Sequence, residues 1–186
     1  MFTSLLTLLL FFSPAVVGAD EFRDPATGID FPVSLGSLDR TGLTRYRTPE
    51  MGFSVRYVGL HELKSDTYVY TAGVAKLGTG ETEGVVLSHY AEVKQAVFGM
   101  GEKGSYKDVM VASEGKVSLH TPDGPLPMLH AVMQYSDSEG LRVSHIYVGT
   151  YKDHFVKIRF TYLAKYRVQG DAALRSFLQD FQEILN

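Results

Sequence analysis

Any chemistry in this chain would have to come from six histidines, scattered carboxylates and a run of cations alternating with aromatics, because cysteine is absent. Without cysteine there is no thiolate nucleophile, no disulfide and no cysteine-ligated zinc. His61, His89, His120, His130, His145 and His154 show neither H-x-H nor H-E-x-x-H spacing, the patterns that bring two imidazoles to one metal. A hydrogen-bonded, partly buried histidine is the ordinary reading of each. No G-x-S-x-G occurs, and Ser37 lacks the strand-to-helix elbow that exposes a nucleophilic serine. Asp137 and Glu139 fall in a turn, where solvated charge is the plain explanation.

Two glycine-rich stretches invite a nucleotide reading, and both fail on context. Gly99-Met100-Gly101-Glu102-Lys103-Gly104 matches G-x-G-x-x-G but follows a helical pattern instead of a strand. Gly78 to Gly84 leads from strand to helix, yet Glu81 and Glu83 stand where phosphates would sit, and no Gly-Lys-Ser/Thr follows. No catalytic, cofactor-binding or metal-binding residue is therefore assigned, and no cofactor is expected. The candidates that remain form a partner or ligand surface: Tyr68, Tyr70, Arg142, Lys157 and Arg159. Tyrosine joins apolar area to a polar tip, and the cations could receive an acidic partner or an anion. If a helix covers them instead, they should snorkel or pair with carboxylates.

The element that must position these residues is Leu141 to Tyr162, the strongest strand-turn-strand pattern in the chain. Val143, His145, Tyr147 and Tyr151 alternate onto one face, as do His154, Val156, Ile158, Phe160 and Tyr162. With Lys152-Asp153 as a two-residue turn, Tyr151 pairs with His154 and His145 with Phe160. Arg142, Lys157 and Arg159 then share the second face, with His130 expected nearby. Upstream, residues 38–46, 52–58 and 66–72 read as strands, the first two joined by a turn at Pro49-Glu50. Glu83 to Phe98 reads as a helix with Thr82 as cap and Gly99 as its end. Val109 to Leu119 reads as a strand kinked at Glu114-Gly115, and residues 121–127 as a proline-broken loop. Leu129 to Tyr135 reads as a strand that pairs Tyr135 with Leu141. Asp171 caps a last amphipathic helix with a stripe of Leu174, Phe177, Leu178 and Phe181.

The sum is an α+β domain: an antiparallel sheet of about six or seven strands with two main helices. Net charge is -3, so no global electrostatic case for nucleic acid exists. Residues 1–19 read as a signal peptide, with an apolar core, a Ser13-Pro14 break and a Val17-Gly18-Ala19 cleavage site. The apolar run is shorter than the ~20 residues of a membrane span, so no stable span is expected after cleavage. Residues 20–30 read as a flexible arm and 31–186 as one domain. Export without disulfides fits a bacterial periplasmic or secreted protein.

Three stretches carry a family resemblance: GFSVRY (Gly52 to Tyr57), TYVY (Thr67 to Tyr70) and HIYVGTYKDHFVKIRFTY (His145 to Tyr162). With the order of elements around them, they resemble the bacterial exported branch of the PsbP-like α/β/α sandwich. That group includes the extrinsic oxygen-evolving protein of photosystem II, Ran-binding nuclear-import factors and many exported bacterial proteins of unknown function. The resemblance implies a binding or assembly role and carries over no functional residue, since fold does not fix function. The expectation is a non-enzymatic envelope protein that binds a partner protein or small ligand. An envelope hydrolase with an unrecognised site and a metal-binding protein are the alternatives.

Overall fold

The computed structural model describes residues 21–185; the expected leader and cleavage site lie outside the described residues. In chain order the strands are β1 (Phe22–Arg23), β2 (Asp30–Phe31), β3 (Ser34–Leu35), β4 (Leu38–Arg45), β5 (Phe53–Val58) and β6 (Lys64–Tyr70). Helix α1 (Val85–Glu102) follows. Then come β7 (Lys107–Thr121), β8 (Gly124–Asp137), β9 (Gly140–Tyr151), β10 (His154–Leu163) and α2 (Arg167–Glu183). Strands β3 to β10 make one antiparallel sheet in the order β3-β4-β5-β6-β10-β9-β8-β7, and β1 pairs with β2 apart from it. The α+β expectation holds, with eight strands in the sheet where six or seven were expected.

The central hairpin has the register its alternation demanded. Tyr151 pairs with His154 and His145 with Phe160. Lys152 and Asp153 both take positive φ, 46° and 61°, the twist that suits a two-residue hairpin turn. Val156, Ile158, Phe160 and Tyr162 are fully buried on one face against Phe177 and Phe181 of α2. Phe155, Ile146 and Val148 are buried on the other with Val86, Tyr90 and Val97 of α1. Each helix thus packs on one face, and each fully buried Phe, Leu, Ile or Val contributes roughly 1.5–3 kcal/mol from area removed from water.

Several expectations need correction. β8 pairs Tyr135 with Arg142, not Leu141. The cause is the turn: Asp137 pairs with Gly140 across a two-residue loop, one residue tighter than expected. A slip of one exchanges faces, so Leu129, Ala131, Met133 and Tyr135 join the α1 core, and His130 goes to the α2 face. The span read as a flexible arm is a hairpin packed on the core: Ile29 and Phe31 are fully buried. Helix α1 starts at Val85 after Gly84, so Thr82 is not its cap, and it runs through Gly99 to Glu102. Gly101 sits where a Cβ would lie 3.0 Å from Val109, so that glycine serves the approach of helix to strand. Asp171 lies inside α2, which begins at Arg167. The segment 121–127 is mostly strand: Pro125 and Pro127 sit in β8 where its pairing to β9, which starts at Leu129, does not yet reach. β7 runs unbroken through Glu114 and Gly115, with its irregularities nearer its start.

Candidate functional site

The α1 face of the sheet is not sealed along its whole length. Between α1 and the β6-β10-β9 surface lies a cleft of about 380 Å³, floored by Tyr68, Lys157, Arg159 and Ile146 and walled by helix residues including His89 and Val93. Its floor follows from strand register. Lys157 stands opposite Tyr68 of β6 on one side and Val148 of β9 on the other. Its ammonium lies 3.9 Å from the centre of the Tyr68 ring and 5.6 Å from that of Tyr70, within the range of cation–π attraction.

Among the described residues, no carboxylate is bound to either cation of the floor. Arg159 donates from Nε to the Ser144 hydroxyl at 3.2 Å and from Nη2 to the Tyr135 hydroxyl at 3.1 Å, with a longer contact to Tyr106 at 3.5 Å. All three acceptors are neutral. Asp66 pairs in register with Arg159, but its two oxygens are taken by Arg56 at 2.7 and 3.2 Å. Burial, reinforced by the charge of Arg159, lowers the Lys157 amine to about 8 against the weaker pull of Asp66. Burial likewise raises the Tyr68 phenol to about 12.

The wall carries a second set of polar groups. His89 Nδ1 lies 3.1 Å from Glu92 Oε2, and its Nε2 lies 2.7 Å from the Tyr70 hydroxyl. With Nδ1–H donated to the carboxylate, Nε2 is left as the acceptor for Tyr70. Glu92 also lines the cleft, but it accepts from His89 and is bound to neither cation of the floor.

The chain is similar in structure to cyanobacterial PsbP. That solution structure, from Synechocystis sp. PCC 6803, superposes with a TM-score of 0.48 at 12% identity, covering 89% of this chain and 96% of that one. No protein-family model and no curated protein matches the chain.

The five residues picked out from the sequence divide in three ways. Tyr68, Lys157 and Arg159 share the floor of the cleft. Tyr70 is buried beside it, with its ring 5.6 Å from the Lys157 ammonium and its hydroxyl against His89. Arg142 stands apart: its side chain is 5% exposed and ion-paired to Glu62 at 3.0 Å and Asp137 at 2.8 Å. It ties two loops together. The helix wall was missed, because the reading of α1 stopped at its core stripe. That stripe, Val86, Tyr90, Val93 and Val97, already held Val93; His89, Ala96 and Met100, which flank it at helical spacing, complete the wall.

On the opposite face, under α2, four polar side chains form a chain of hydrogen bonds. The Tyr162 hydroxyl donates to Asp171. His145 Nε2 lies 3.2 Å from that hydroxyl, and His145 Nδ1 lies 3.2 Å from His130 Nε2. Because the carboxylate can only accept, the chain runs one way: His130 to His145 to Tyr162 to Asp171. His130 also stacks on Tyr147, with ring centres 4.3 Å apart. Burial, then the neighbouring His130, lowers His145 to about 4, and burial lowers His130 as well. Among the described residues no three His, Asp or Glu side chains converge as metal ligands, and no helix is long and apolar enough to cross a membrane.

Proposed function

We propose that this chain is an exported, non-enzymatic binding domain of the bacterial envelope whose ligand is a small amphipathic acid held in the cleft between α1 and the sheet. One observation carries the reading. Lys157 and Arg159 floor a concave, largely apolar site, and among the described residues no carboxylate is bound to either. Partly buried charge is costly without a counter-ion, and an acidic ligand supplies one. Val93, Ile146 and Met100 offer the apolar contact that a hydrocarbon or aromatic body would need. Export rests on the pattern of residues 1–19, and fractionation of cells expressing the full chain checks it by finding the protein outside the cytoplasm.

The binding test compares 3-phenylpropionate with its uncharged amide by calorimetric titration. The acid binds and the amide does not. Arg159→Gln and Lys157→Met each weaken the acid by tenfold or more, about 1.4 kcal/mol each. Equal binding of acid and amide, or of neither, overturns the reading. The hydrolase alternative has one feature in its favour, the Glu92-His89-Tyr70 chain at the cleft wall. Tyr70 is a poor nucleophile there, because burial raises its phenol well above the ordinary range. An ester that keeps the carboxylate, 3-(4-acetoxyphenyl)propionate, bound but not turned over sets that alternative aside.

A further inference from the structure

The cleft holds a nucleophile as well as a charge. Among the described residues, Lys157 Nζ makes no hydrogen bond and no ion pair; its neighbours are the faces of Tyr68 and Tyr70. It also lies on the same sheet face as Arg159, two residues along β10. A surface lysine is protonated and solvated, and so is a weak nucleophile. An amine withdrawn from water beside a second cation keeps more of its free base. Burial and Arg159 act in that direction here, bringing Lys157 to about 8.

We propose that Lys157 captures a carbonyl-bearing organic acid, an aldehyde or keto acid, as a reversible imine, with Arg159 holding the acid group. The inference rests on the acid-binding reading above and names the class of ligand. The step balances without a redox partner. Lys157 first gives its extra proton to solvent. The free amine then attacks the carbonyl carbon, forming the C–N bond while the C=O bond opens to a carbinolamine. Loss of that hydroxyl as water breaks the C–O bond and leaves C=N, and water reverses the sequence. Val93, Ile146 and Met100 keep the apolar body of the ligand in place, and the open side of the cleft lets water leave.

The test incubates the full chain with 4-formylbenzoate and sodium cyanoborohydride, which fixes an imine as a secondary amine, and maps the adduct by peptide mass spectrometry. At pH 7 an amine lowered to about 8 holds roughly three hundredfold more free base than an ordinary lysine. Lys157 is expected to label at least about tenfold faster than the surface lysines. Excess 4-methylbenzoate, an acid without a carbonyl, should protect it. Lys157→Arg keeps the charge, so it should still bind 4-methylbenzoate while taking no adduct at that site. If 4-methylbenzoate binds but Lys157 labels no faster than surface lysines, imine capture is wrong and acid binding stands. If 4-methylbenzoate does not bind, and labelling is neither selective nor protected, both readings fall.

Discussion

At the scale of single residues, two groups carry a proton balance that differs between the folded and unfolded chain. Lys157 is lowered from its ordinary value to about 8. Between pH 8 and 10.5 the unfolded chain therefore holds more protons, and stability rises with pH across that window. Replacing Lys157 with Met should remove this rise and stabilise the protein at pH 7 by about 1–2 kcal/mol, after allowing for the open side of the cleft. Urea denaturation across pH 7 to 10.5 checks both effects. His145 has the same sign in a different window. It falls from 6.5 to about 4, so stability is complete above 6.5 and lost as pH falls toward 4. His145→Gln should flatten that acid limb by about 1–3 kcal/mol, seen as a urea midpoint that no longer drops between pH 6.5 and 4. His130, also lowered by burial, should add to the wild-type slope.

At the scale of elements, the close approach of α2 to β10 depends on one glycine. A Cβ at Gly170 would fall 2.5 to 2.6 Å from ring atoms of Tyr162, closer than real contacts allow. Gly170→Ala should cost about 1–3 kcal/mol by overpacking and should disturb the Tyr162-Asp171 hydrogen bond. Thermal unfolding measures the first, and loss of the His145 acid limb reports the second. The elements also show what was legible in the sequence. The hairpin across Lys152-Asp153 was readable to the exact pair, because a slip would have placed Lys157 and Arg159 in the α2 core. The pairing of β8 with β9 was not, because Leu129 to Tyr135 and its neighbours offer apolar residues to both faces. Only the two-residue turn at Asp137–Gly140 decides that register. Tyr68, Lys157 and Arg159 were legible as one surface through their strand parity. His89 and Glu92 were not, since parity says nothing about which helix face crosses a given strand. The hairpin at residues 22–31 was hidden by its polar composition, although Asp24 and Thr27 bond to each other inside it.

At the scale of the whole molecule, that first hairpin is part of the core. Phe31 and Phe22 meet Phe53 edge-on, with ring centres 5.7 and 5.1 Å apart. Ile29→Ala, inside the span read as an arm, should cost about 2–5 kcal/mol, whereas a flexible arm would tolerate it; chemical denaturation distinguishes the two. The strand order has a longer-range consequence. In the sheet, every neighbouring pair is consecutive in the chain except β6 and β10. The sheet is therefore two local meanders joined along one seam, with α1 as the tether between them. Tyr68 belongs to the first meander, Lys157, Arg159 and Ile146 to the second, and His89 to the tether. Each meander can form from short hairpin loops, but the seam must close a loop that spans α1 and three strands, the slower kind of step. The cleft then comes into being last during folding, and an acid that fills it acts as a clasp across the join. Amide exchange along β6 and β10 should slow most when such an acid is bound.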